Sequence, residues 1–233
     1  MPGTHFLDNP IWHSLLTDHS NLALGDDLAR RYPADIGPLS GMADQSRAAY
    51  EALRALAGAN GTLALFLEEP ARDQSGWTLV RTGAMSQMIF NGSAAPSPGP
   101  LSPAATLRPL TFEDVNEMVE LAELTEPGPF RRRTATLGNF FGIFEGGRLL
   151  AMAGQRSRPS GFIEVSAVCT HPDARGRGYA YAAMASVVDD ILRQSAVPFL
   201  HVLAENYSAI RVYERLGFVQ RRPLHLGVYK NGR

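Results

Sequence analysis

Apolar and polar positions follow two rhythms along this chain, and the way they alternate changes near residue 92. Before that point the spacing predicts helical stretches around Ile11 to Tyr32 and Gln45 to Ala57, then strand-like runs over Thr62 to Leu67 and Trp77 to Arg81. Gly92-Ser93-Ala94-Ala95-Pro96-Ser97-Pro98-Gly99-Pro100-Leu101-Ser102-Pro103 can continue neither a helix nor a central strand. A linker is therefore expected over 92–103, between an N-terminal α/β region (1–91) and a C-terminal domain (104–233).

Downstream the elements alternate more clearly. Thr106 to Leu110 reads as a strand, and Thr111 with Asp114 fits a capping pattern for a helix whose buried stripe is Val115, Met118, Val119 and Ala122. Asn139 to Phe144 and Arg148 to Gly154 flank Gly146-Gly147, a pair able to take the positive φ angles of a tight hairpin. Phe162 to Cys169 is a third strand, rich in β-branched and aromatic residues. Ala180, Met184, Val187, Val188 and Ile191 recur at helical spacing between Tyr179 and Gln194. Phe199 to Leu203 is again strand-like, Asn206 an N-cap, Tyr207 to Leu216 a helix, and Gly217 its left-handed stop.

Composition narrows the partners. The 233 residues are 45% hydrophobic and 19% charged with a formal net charge of −1, which gives no global basic field for nucleic acid or an anionic membrane. One cysteine, Cys169, cannot form an internal disulfide, and no Cys/His group has zinc spacing. No export signal or membrane span is read, so a reducing, cytoplasmic setting without structural metal is expected.

The chemistry concentrates in Arg175-Gly176-Arg177-Gly178-Tyr179-Ala180, between a strand and an amphipathic helix. Glycines there let backbone amides at the positive end of a helix dipole approach an anion. A dinucleotide loop would need a third glycine, and a Walker loop would need Lys then Ser or Thr; both are absent. A short glycine motif alone is better read as a plain strand-to-helix turn with solvated arginines, so its neighbours decide.

With those neighbours, the sequence resembles the GNAT superfamily of coenzyme-A-dependent acyltransferases. Arg175, Gly178 and Ala180 satisfy that family's loop motif, Glu164 to Pro172 resembles the strand before it, and Asn206 to Phe218 resembles its Asn, Ala, Tyr and Gly-Phe block. The resemblance covers about Thr106 to Tyr229. It implies a mixed α/β fold, mostly antiparallel, splayed between the family's strands four and five; the N-terminal α/β region could be a degenerate copy of the same architecture. It implies that amides from Arg177 to Ala180, with Arg175 and Gly176, hold the pyrophosphate of acetyl-CoA. Backbone of Ala167, Val168 and Cys169 would pair with pantetheine, Asn206 would line the same cleft, and the Val168 N–H would polarise the thioester carbonyl.

Acyl transfer to an amine also needs a proton acceptor and a proton donor. The resemblance makes Tyr213 the general acid toward the thiolate and Glu164 a candidate base, directly or through water. Each has a plain alternative, a packed aromatic for Tyr213 and a solvated strand carboxylate for Glu164. Cys169, His171 and His201 read as structural, and Arg131-Arg132-Arg133 as a solvated run in the acceptor loop region. The expected activity is acetyl transfer from acetyl-CoA to a primary amine, small molecule or peptide. The competing class is an acyl-CoA sensor without turnover. The N-terminal half would cover the acceptor cleft, mediate a homodimer or complete the core.

Overall fold

In the computed structural model, which describes residues 5–232, the N-terminal half is made of short pieces whose ends are set by local polar groups. Helix α1 (Pro10–Leu16) starts on a proline, where a missing amide costs nothing. It stops at Thr17, whose hydroxyl donates to the His13 carbonyl at 2.7 Å. The long helix expected over Ile11 to Tyr32 is thus cut short. β1 (Leu24–Gly25) and β2 (Ala29–Arg31) follow as a hairpin instead. Asp26 closes it by accepting from the Leu28 and Ala29 amides at 2.8 and 3.0 Å, a local partner that competes with helical bonding. Gly25, at φ +129°, has no room for a side chain, because a Cβ there would lie 2.1 Å from the Ala29 oxygen. β3 (Ser40–Met42) completes this small sheet, and α2 (Arg47–Ala57) begins at Ser46, whose Oγ accepts from the Ala49 amide.

The remaining elements are β4 (Thr62–Leu67), β5 (Trp77–Phe90), β6 (Ala105–Leu110), α3 (Val115–Thr125), β7 (Phe140–Glu145), β8 (Arg148–Gln155), β9 (Phe162–Thr170), α4 (Tyr179–Arg193), β10 (Val197–Leu203), α5 (Tyr207–Arg215) and β11 (Phe218–Asn231). Their strands form one eight-stranded sheet in the order β4-β11-β5-β10-β9-β8-β7-β6. Among the described strand pairs of this sheet, β9 and β10 run parallel and the others antiparallel. That is the mixed, mostly antiparallel sheet expected. The β7–β8 turn holds Gly146 and Gly147 at φ +60° and +80°, as the sequence required.

β5 is much longer than the Trp77 to Arg81 run. Its middle, with Gly83, Ala84, Ser86 and Gln87, has few strand-forming residues before Ile89 and Phe90, yet it is held between β10 on one side and β11 on the other. An N-terminal strand therefore lies inside the C-terminal sheet. Apolar clusters cross the same boundary: Met88 and Phe90 pack with Val188 and Phe218, Leu137 with Ile11 and Tyr32, and Tyr229 with Tyr50 and Leu63. Gly92 to Pro103 joins β5 to β6 as irregular chain. Among the described residues, no helix is long and apolar enough to cross a membrane.

Candidate functional site

The parallel pairing of β9 with β10 lasts only from Val197 opposite Phe162 to Phe199 opposite Glu164; beyond it the strands part. A peptide edge left without its neighbour must bond something else. At the two ends of this stretch β9 bonds toward β8, Glu164 N–H to the Ser157 oxygen at 2.9 Å and His171 N–H to Leu150 at 2.7 Å. Between them is a bulge. Gly154 faces Ser166 and Met152 faces Cys169, so Ala167 and Val168 share one partner position, with Ala167 at φ +51°. Register keeps the Cys169 peptide against β8 and turns alternate residues, Val168 among them, into the gap.

β9 then leads through a short turn into Arg175–Gly178. Gly176 and Gly178 hold φ +75° and +77°, and a Cβ on either would meet nothing within 4 Å. Backbone conformation, not crowding, is what requires glycine here. The first α4 bond runs from the Ala182 amide to the Gly178 oxygen, leaving the Tyr179, Ala180 and Tyr181 amides without helical partners. Arg177 turns aside: its guanidinium forms a two-pronged pair with Glu145 at 2.7 Å and lies over the Tyr179 ring.

A cavity of about 1770 Å³ runs through the gap. Ala167, Val168, Cys169, Arg175, Gly176, Gly178, Tyr179, Ala180, Asn206 and Tyr213 all line it, so the structure brings together every cofactor position read from the sequence except Arg177. Asn206 caps α5 by accepting from the Ala209 amide at 3.2 Å. Tyr213 is 9% exposed, and burial pushes its hydroxyl up to about 12, so it stays protonated. Burial likewise pushes the Cys169 thiol up to about 11, which leaves it unreactive.

Glu164 corrects the sequence reading. It is fully buried and does not line the cavity; its carboxylate accepts from Arg156 at 2.5 and 2.9 Å, from Ser157 Oγ at 2.6 Å and from His201 at 2.6 Å. Burial alone would raise its pKa, but the Arg156 charge and then His201 outweigh that and hold it far below the carboxylate range. A carboxylate so committed is a poor general base. His201 belongs to the same network. Gln87 donates to its Nε2 at 3.0 Å, which leaves Nδ1 to carry the proton given to Glu164. Gln87 in turn donates to the Leu7 oxygen and accepts from Arg221, which also pairs with Asp8.

Several cavity residues gave no sequence signal. Phe66, Leu226 and Val228 form floor, Arg31 and Arg156 are among its lining residues, and Ser97 to Pro100 of the linker form part of the wall. Arg131 lines the cavity, while Arg132 bonds Asn116 and Arg133 pairs with Asp35.

A family profile described as FR47-like protein matches residues 140–224. Among solved structures, a protein from Novosphingobium aromaticivorans assigned as an acetyltransferase of the GNAT family superposes with a TM-score of 0.88 at 37% identity, covering 99% of this chain and 100% of that one. A GCN5-related N-acetyltransferase from Kribbella flavida matches at TM-score 0.64 and 15% identity, over 94% and 93% of the two chains. One from Sphaerobacter thermophilus matches at 0.56 and 17%, over 84% and 72%. These last two share the fold. No curated protein matches. The chain belongs to the GNAT family, whose fold implies acyl transfer from an acyl-CoA.

Proposed function

We propose that the protein is an N-acetyltransferase that moves acetyl from acetyl-CoA to a primary amine by direct attack, with both substrates bound together. The observation that carries this reading is the continuity of one cavity from the free amides at the start of α4, through the open β9 edge, to the Tyr213 hydroxyl.

The residues present fit the cofactor. Glycines 176 and 178 leave open space beside free amides for a pyrophosphate, Arg175 adds a cation at the head of the loop, and the β9 edge suits the amides of a pantetheine arm. When bound, the cofactor supplies an acyl thioester. In this reading the Val168 N–H polarises the thioester carbonyl, a contribution on the order of 10²–10³ in rate for one such donor. Tyr213, protonated at working pH, donates its proton to the departing sulfur. With Glu164 held by three donors, the incoming amine loses its proton to water in the open cleft.

The test is coenzyme A thiol release from acetyl-CoA over a panel of amines, beside thermal stabilisation by acetyl-CoA. Amine-dependent release is expected. Stabilisation without release by any amine would favour a sensor and remove the enzyme reading.

A further inference from the structure

The acceptor side of the cavity carries a charge that the catalytic argument leaves unused. Arg31 on β2 is only 6% exposed and lines the cavity beside Pro38, Gly61 and Thr62. Its Nε donates to the Tyr32 oxygen at 3.0 Å and its Nη1 to the Leu56 oxygen at 3.2 Å. Both are neutral carbonyls. Among the described residues no carboxylate stands within ion-pair distance, and burial lowers the Arg31 pKa with no acid opposing it. The other inward-facing arginine, Arg156, has Glu164 as its counter-charge. A guanidinium held in a pocket wall without an anion is costly, and a bound carboxylate would remove that cost.

Its position gives a length. Phe66 marks the throat of the gap: its ring is 4.5 Å from that of His201 and lies under Arg156, whose partner Glu164 stands at the last β9–β10 rung. From Phe66 the same face of β4 continues through Ala64 to Thr62, with Leu226 and Val228 of β11 alongside; Ala64 bridges Leu39, whose neighbour Ser40 pairs with Arg31, and Arg31 and Thr62 line the same cavity. The four residue-to-residue steps from Phe66 to Thr62 span roughly 13 Å, about the length of four extended peptide residues. The floor of this lane is apolar, and the rim adds Arg81 and Arg131 against a single acid, Glu126.

We propose that the acceptor is a short peptide of about four residues, acetylated at its N-terminal amine and held through its far carboxylate by Arg31. This rests on the acetyl-transfer reading above. The test compares tetrapeptides of one apolar sequence ending in a free carboxylate, ending in an amide, and ending in an amide with glutamate at the fourth position. Thiol release with acetyl-CoA is measured, and each peptide is titrated calorimetrically into the protein with coenzyme A present.

A charge-assisted contact of this kind predicts about ten- to a hundredfold higher kcat/KM for the free carboxylate than for the amide, with the glutamate peptide showing whether a side chain serves as well. In Arg31→Gln the acid-to-amide ratio should fall toward one, and in Arg31→Lys it should be partly kept. Equal turnover and binding of acid and amide by the unaltered protein would overturn this inference while leaving acetyl transfer intact. A preference for long-chain acyl-CoA without carboxylate discrimination would assign the lane to an acyl tail and also overturn it. Carboxylate-selective binding with no thiol release would uphold Arg31 as the anion site and strike the transfer reading instead.

Discussion

The two ends of the cavity are built from different materials. At the cofactor end the working groups are peptide amides: the start of α4 and the open edge of β9, exposed because two strands separate after Phe199 and Glu164. At the acceptor end they are side chains gathered from distant parts of the chain, Arg31 and Phe66 from the N-terminal half, Arg156 and His201 from the C-terminal half, Leu226 from the last strand. A backbone site needs only the right conformation and glycines where φ is positive, so it tolerates change in most of the residues around it. A side-chain site depends on every partner being present. Behind that wall, outside the cavity itself, Glu164 shows the same dependence at its strictest, since Arg156, Ser157 and His201 all donate to it.

Removing one partner from the buried network should produce the largest effect. Glu164→Gln leaves Arg156 without its counter-charge and should cost about 3–5 kcal/mol of stability in chemical denaturation. Folding holds the Glu164 carboxyl well below its ordinary value of 4.5, so in the unaltered protein this stabilisation is complete above that pH and is lost as pH falls beneath it. The acid-side loss should be shallower in the variant. A variant of unchanged stability and collapsed kcat would return Glu164 to the role of base and break the contrast between the two ends.

Tyr213→Phe should act on rate rather than stability. If its hydroxyl protonates the sulfur, kcat falls on the order of a hundredfold while acetyl-CoA affinity holds. Unchanged kcat would take the tyrosine out of the mechanism.

The smallest expected effect is at the backbone end. Gly178→Ala places a Cβ in open space but at φ +77°, so the cost is conformational, about 1–2 kcal/mol, and should appear as lower melting temperature with weaker acetyl-CoA binding. If alanine there were neutral for both, the loop would not depend on its left-handed geometry.

What the sequence determined by itself were features that glycines, caps and helix periodicity specify locally. Gly146-Gly147 required a tight turn, Asn206 and Gly217 bounded α5, and Arg175 to Ala180 marked amides ahead of α4, because capping, positive φ and helix periodicity act over a few residues. Short-range competition was harder to see: α1 ended at Thr17, and Asp26 closed a hairpin where periodicity alone favoured a helix. Tertiary structure decided the rest. β5 is a strand in its second half because β10 and β11 bond it on both sides, Glu164 is a structural anion because Arg156 and His201 fold against it, and Arg31 reaches the cavity because β3, its neighbour in the small sheet, meets β4. Such roles belong to pairs of residues far apart in the chain, and only packing determines which pairs meet.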